Sequence, residues 1–151
     1  MFSLIKSLHL LGACLFVGNV IVSGLWKALA DRVDDLALAR FATRLVNLTD
    51  VCFTGGGAVL LTLTGHWMAQ RHGGVLANDW IVASYLAFGA SGLLWAAVLV
   101  PIQRCQARLL RDATEVIPAA YRRLARWWAA VGVAATLIGL PPLVWMAARS
   151  V

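Results

Sequence analysis

Charge is what this sequence has least of. Of its 151 residues, 61% are apolar and 13% charged, whereas a soluble domain carries about 25% charged residues. That is too little charge for the surface of a soluble globule of this size, which excludes a soluble enzyme, a nucleic-acid-binding domain and a disordered linker. Cysteine is sparse as well. Cys14, Cys52 and Cys105 form no CxxC pair and are odd in number, so neither a disulfide framework nor a zinc site is indicated, and the thiols read as small hydrophobes. The glycine run Gly55-Gly56-Gly57 is followed by no Lys-Ser/Thr, which removes a phosphate-cradling loop. No nucleophile has an attendant base and no paired carboxylates lie in the apolar runs, so a hydrolase is unsupported.

What the chain does have is four stretches without any Asp, Glu, Lys or Arg: Ser7–Trp26, Val51–Gln70, Trp80–Gln103 and Trp127–Ala148, of 20, 20, 24 and 22 residues. A bilayer-spanning helix needs about 20. The expectation is therefore an all-α polytopic membrane protein, one integral membrane domain over 1–151, with a four-transmembrane-helix bundle whose spans cover about 4–26, 50–70, 80–103 and 126–148. Its principal partner is the lipid bilayer. A cleavable leader ending at Ala28-Leu29-Ala30 is disfavoured, because the preceding apolar run of about 19 residues exceeds the usual signal core and contains His9 and Asn19.

Basic residues are placed unevenly. Ten of the 13 lie between spans one and two (Lys27, Arg32, Arg40, Arg44) or between spans three and four (Arg104, Arg108, Arg111, Arg122, Arg123, Arg126); only Lys6, Arg71 and Arg149 lie elsewhere. Short loops rich in Lys and Arg stay in the cytoplasm, so both termini are expected outside. The excess charge is then an orientation signal and implies no nucleic acid. In Val33–Leu48, Leu38, Phe41, Leu45 and Leu48 recur at helical steps while Arg40, Arg44 and Asn47 form a polar stripe, which predicts a cytoplasmic amphipathic helix running into span two. Asp31, Asp34 and Asp35 offer its cap. Gly73-Gly74 and Asn78-Asp79 read as a turn, span three should end near Pro101, the segment 104–126 should be helical with a break around Pro118, and Pro141-Pro142 should kink span four. Most tryptophans sit at span ends as interfacial anchors; Trp95 alone is expected to line the bundle.

Polar side chains in a span are costly and face the bundle interior. In span one, Lys6, His9, Gly12, Phe16, Asn19, Ser23 and Trp26 fall on one stripe, which should pack inward against the glycines of span two. With the spans oriented as above, His9 and His66 come to similar depth in the outer half, joined there by Ser84 and Tyr85 of span three and by Trp145 and Met146 of span four. Two imidazoles on facing helices are a set that can take both axial positions of a haem iron. Lys6 then meets a propionate, and Gly12 and Tyr85 lie against the group. Spans three and four contain no His, so there is one b-type haem at most. Copper is the alternative metal at His9 and His66, with Met68, Met146 or Cys14 as softer ligands. His72 reads as a solvated loop residue. Asn19, Asp50 and Thr54 read as an interhelical hydrogen-bonding group in preference to the start of a proton path.

The elements Lys6-Ser7-Leu8-His9-Leu10-Leu11-Gly12, Gly18-Asn19, Trp26-Lys27, Ala30-Asp31-Arg32, Thr49-Asp50, Thr64-Gly65, Trp95 and Val100-Pro101-Ile102-Gln103 resemble an uncharacterised bacterial family of small predicted integral membrane proteins over nearly the whole chain. More distantly, His9 on a glycine-bearing first span is similar to HemJ-type protoporphyrinogen oxidases, which are haem-associated, and to CopD-type copper-resistance domains. The resemblance implies a bacterial inner-membrane location. The functional expectation is a haem-bearing membrane protein of electron transfer or a membrane redox step, with a membrane redox partner or homo-oligomer. The alternatives are a cofactor-free accessory protein and copper handling.

Overall fold

The computed structural model describes residues 1–148; Arg149 and the C-terminal end lie outside them. The chain is all-α, with no strand among the described residues. Four helices are long and apolar enough to cross a membrane: Phe2–Arg32, Leu36–Gln70, Asp79–Asp112 and Ala119–Ala148. The first, α1, is uninterrupted over 31 residues, about 46 Å at the α-helical rise, and so outruns a hydrocarbon core of about 30 Å. The second is α2 (Leu36–Thr49), a π-helical segment (Asp50–Gly55) and α3 (Gly56–Gln70) in series. The third is α4 (Asp79–Leu94), a π-helical segment (Trp95–Leu99) and α5 (Val100–Asp112). The fourth is α6 (Ala119–Gly139) and α7 (Pro141–Ala148), broken where Pro141 and Pro142 supply no N–H.

Packing is inverted relative to a soluble bundle. Along α1 the buried residues are His9, Gly12, Asn19, Ser23, Lys27 and Ala30, while Leu10, Leu11, Ile21, Val22, Leu25 and Leu29 are exposed. Large apolar side chains lose nothing by facing hydrocarbon, so the interior is left to small and hydrogen-bonding residues. The expected inward stripe of α1 is present, except that Lys6 is exposed at one end and the stripe continues to Lys27 at the other. The same inversion holds in α2. Its buried face is Ala39, Ala42, Thr43, Val46 and Thr49, and the large residues of its apolar stripe, Phe41 and Leu48, are exposed.

Close helix contact is set by glycine. A Cβ on Gly57 would stand 2.9 Å from the Phe16 backbone nitrogen and 3.0 Å from the Gly12 carbonyl oxygen, and one on Gly12 would meet Leu61 at 3.2 Å. Of the three consecutive glycines, Gly57 is the one α1 presses against, since Gly56 has open space before it. Between α4 and α6, Ser91 Oγ donates to the Ala135 carbonyl at 2.8 Å and abuts Gly139.

The third helix runs on past Pro101 to Asp112, and the chain breaks before α6 starts at Ala119, as expected for a helical 104–126 segment interrupted around Pro118. The π-helical residues Trp95–Leu99 take up the missing donor and the ring of Pro101, so the helix continues. Lys27, counted among the basic residues between spans one and two, is buried, at 1% exposed. Beyond it α2, α5 and α6 close over a small core of Ala39, Leu110, Ile117 and Tyr121. Arg40 donates from Nε and Nη2 to the Leu110 and Ala113 carbonyls, capping α5, and Asp35 caps α2 by accepting from the Leu38 N–H at 2.7 Å. At the opposite end, Gly73 and Gly74 take φ of +88° and +99° in the turn between α3 and α4.

Candidate functional site

Two cavities occupy the two halves of the bundle. One lies in the half toward the Gly73-Gly74 turn, with a volume of about 290 Å³, bounded by α1, α3, α4, α6 and α7. The other, about 470 Å³, lies toward the basic end between α1, the Asp50–Gly55 segment, α4, the Trp95–Leu99 segment and α6. Phe16 and Phe88, with ring centroids 5.4 Å apart, line both and form the partition between them.

The imidazole of His9 stands on the wall of the first cavity, in contact with Gly65, where a Cβ would reach its Cε1 at 3.1 Å. A larger residue at 65 would therefore push the ring from its seat. Its Nδ1 lies 2.8 Å from Thr64 Oγ1. The single Thr64 hydroxyl proton goes to the Leu60 carbonyl at 2.5 Å, so the hydroxyl accepts from His9, and Nδ1 carries the imidazole proton. Neutral His9 is thereby fixed as the tautomer whose lone pair is on Nε2. This is the arrangement by which an outer hydrogen bond orients an imidazole as a ligand.

His66 shares the level of His9 but not its face. It is one residue beyond Gly65, exposed, and bonded through Nε2 to Gln70 Nε2 and through Nδ1 to the Tyr85 hydroxyl, both at 3.3 Å. It does not line the His9 cavity; Tyr85 does, as do Ser84, Met68, Met146 and, at the turn, His72. The structure thus brings His9, Tyr85 and Met146 to one cavity and puts His66 behind Tyr85. Gly12 serves helix contact one turn away, and Lys6 is exposed with no ion pair among the described residues. Among those residues no cluster of three His, Cys, Asp or Glu side chains could hold a metal ion. Cys14 is exposed and free.

The other half holds two polar groups with denser bonding. Asp50 Oδ1 accepts from Asn19 Nδ2 at 2.9 Å and Thr54 Oγ1 at 3.3 Å, and Oδ2 accepts from Gln103 Nε2 at 2.5 Å. Asn19 Nδ2 also reaches Thr54 Oγ1 at 2.9 Å. The π-helical turns at Asp50–Gly55 set Asp50 and Thr54, four residues apart, against the same α1 amide. Here the interhelical reading of Asn19 and Asp50 is what the contacts display, with Gln103 as a third helix's contribution. Further along α1, Lys27 Nζ donates to Asp31 Oδ2 and to the Tyr121 hydroxyl, each at 2.6 Å. Tyr121 in turn donates to Asp31 Oδ1 at 2.5 Å and meets Thr43 Oγ1 at 3.4 Å. The ammonium also lies 4.8 Å from the Tyr121 ring centroid and 5.9 Å from that of Trp128.

Sequence reasoning missed Lys27, Tyr121 and Gln103 as interior residues. For Lys27 a signal existed: Asn19, Ser23, Lys27 and Asp31 recur every four residues along one helix face. Tyr121 and Gln103 had none, since their partners lie 90 and 53 positions away in the chain.

Residues 3–150 match the family described as "Predicted integral membrane protein (DUF2269)". No curated protein and no solved structure matches the chain.

Proposed function

The chain belongs to this family of integral membrane proteins, and from that premise we propose that it carries one b-type haem for electron transfer in the membrane, held by His9 in the cavity near the turn. The observation that supports this most is the His9–Thr64–Leu60 relay, which leaves Nε2 unprotonated on a histidine that lines the cavity. The surrounding residues fit such a group in part. The walls are apolar and aromatic, with Phe16, Trp80 and Phe88 among them, and His9 would supply the nitrogen ligand that holds the group. His66, on the far side of Tyr85, does not line this cavity, so any further ligand to the group would come from Met146 or Met68. When bound, the haem supplies one-electron chemistry. The chain's own part is to hold the imidazole by Thr64, to keep water out with the aromatic walls, and to offer the Tyr85 hydroxyl as a donor within the cavity.

Copper is the second reading, favoured by Met68 and Met146 lining the same cavity as His9, since thioether and imidazole together suit that metal. The basic end faces the cytoplasm by its Lys and Arg content, which sets the His9 cavity toward the periplasm of a bacterial inner membrane. The test is an absorption spectrum with metal analysis of the purified protein. A Soret band retained in His66→Ala and lost in His9→Ala is expected. Bound copper without such a band selects the second reading, and neither metal leaves an accessory membrane protein.

A further inference from the structure

At the basic end the surface carries positive charge that its own carboxylates do not balance. Asp34 and Asp112 pair with Arg122 and Arg111, Asp31 is held by Lys27 and Tyr121, and Asp35 caps α2. Arg44, Arg104, Arg108, Arg123 and Arg126 are exposed, and their guanidinium groups have no ion pair or hydrogen bond among the described residues. They share a level. Ser91 meets Ala135 across α4 and α6, and toward the basic end Arg104 stands 13 residues beyond Ser91 while Arg123 and Arg126 stand 12 and 9 before Ala135. At the helical rise these three lie within about 6 Å of one depth. Arg40 reaches the Leu110 and Ala113 carbonyls, so Arg44, one turn nearer the hydrocarbon, comes to the level of Arg108. That depth is the edge of the apolar layer: Arg104 directly follows the charge-free run Trp80–Gln103, and Arg126 directly precedes Trp127–Ala148. Trp127, the neighbour of Arg126, is 61% exposed.

Two features of this belt select its ligand. Orientation in the membrane is served equally by Lys and Arg, yet nine of the ten basic residues at this end are Arg, and the one Lys, Lys27, is buried. Guanidinium offers the paired, planar donors that match phosphate, which ammonium does not. The free groups also begin where the apolar runs end, at the depth of lipid headgroups, which soluble polyanions do not enter. A zwitterionic headgroup brings its own ammonium beside its phosphate, whereas an anionic one answers the excess of guanidinium. We infer that this belt binds the phosphodiester groups of anionic phospholipid, of the phosphatidylglycerol class, with Arg104 and Arg126 taking phosphate oxygens at the edge of the hydrocarbon and Arg44, Arg108 and Arg123 adding charge around them. These arginines line neither cavity, so the site stands apart from the haem reading.

The test is native mass spectrometry of the full chain in a non-ionic detergent, titrated with dioleoylphosphatidylglycerol or with dioleoylphosphatidylcholine. The anionic lipid should bind about tenfold or more tighter. Arg104→Gln with Arg126→Gln should weaken phosphatidylglycerol binding by about tenfold and leave phosphatidylcholine binding as it was. Arg104→Lys with Arg126→Lys keeps the charge and should still weaken it roughly two- to fivefold. Arg71→Gln, at the opposite end, and His9→Ala should change nothing. Equal affinity for the two lipids, an unaltered glutamine pair, a lysine pair that binds as tightly as the unaltered protein, or an equal loss in Arg71→Gln would each overturn the assignment. Displacement of the lipid by inorganic phosphate or an RNA oligonucleotide at the same concentration would overturn it too, in favour of a soluble anion. If the glutamine pair does not fold, Arg44→Gln with Arg108→Gln decides by the same comparison.

Discussion

The two halves of this bundle solve the burial of polar groups differently. Toward the turn, His9 is held by a neutral hydrogen bond to Thr64 and a glycine contact, and its imidazole lines a cavity. Toward the basic end, Asp50 and Lys27 each sit in closed groups, Asp50 with three donors from α1, its own helix and α5, and Lys27 with Asp31 and Tyr121. A charge in hydrocarbon must be fully partnered to persist, whereas a neutral imidazole can be left half-satisfied at modest cost. The charged half is accordingly built for stability and register, and the neutral half keeps the spare lone pair that a site needs.

The sharpest way to break that contrast is Lys27→Met. It removes the cation from Asp31 and Tyr121 in a buried setting and should cost about 3 kcal/mol, read as a lowered unfolding midpoint in detergent. Gly57→Val comes next, because its side chain has to displace the α1 backbone at Phe16; a loss of about 2 kcal/mol is expected. Asp50→Ala strands the Asn19 and Gln103 amides and should cost about 1–2 kcal/mol, in keeping with the weaker hydrogen bonds measured between membrane helices. Thr64→Val should cost about 1 kcal/mol while releasing His9, so that its larger effect is on ligand affinity, about tenfold or more. His66→Ala, on an exposed ring, should change stability by about 0.5 kcal/mol or less. The contrast between the halves fails if Thr64→Val destabilises more than Lys27→Met.

Much of the fold was legible because hydrocarbon imposes simple rules. Uninterrupted apolar length marked the four helices, and the polar face of α1 announced its inward side through His9, Asn19 and Ser23. The grouping of Asn19 with Asp50 and Thr54 was legible as well, because topology places the start of span two beside that part of α1. What the sequence concealed depends on distance along the chain. Tyr121 completes the Lys27 group from 94 positions away, and the tautomer of His9 depends on a Thr64 hydroxyl whose proton is committed to Leu60. The rotational setting of His66 was concealed for another reason: one residue along a helix turns a side chain by about 100°, so equal depth with His9 did not imply a shared face. The π-helical turn ahead of Pro101 was concealed as well, since it leaves no mark in composition.

The account rests on the cavity-lining His9 being protonated at Nδ1 and not at Nε2. Nitrogen-15 NMR of the histidine-labelled protein in bilayers at neutral pH, with His9 assigned by difference against His9→Ala, reads this directly. The prediction is a neutral ring protonated at Nδ1, the minor tautomer of free histidine, which reverts to the Nε2–H form in Thr64→Val. A signal showing His9 protonated at Nε2 in the unaltered protein, or a tautomer indifferent to the loss of the Thr64 hydroxyl, would contradict it.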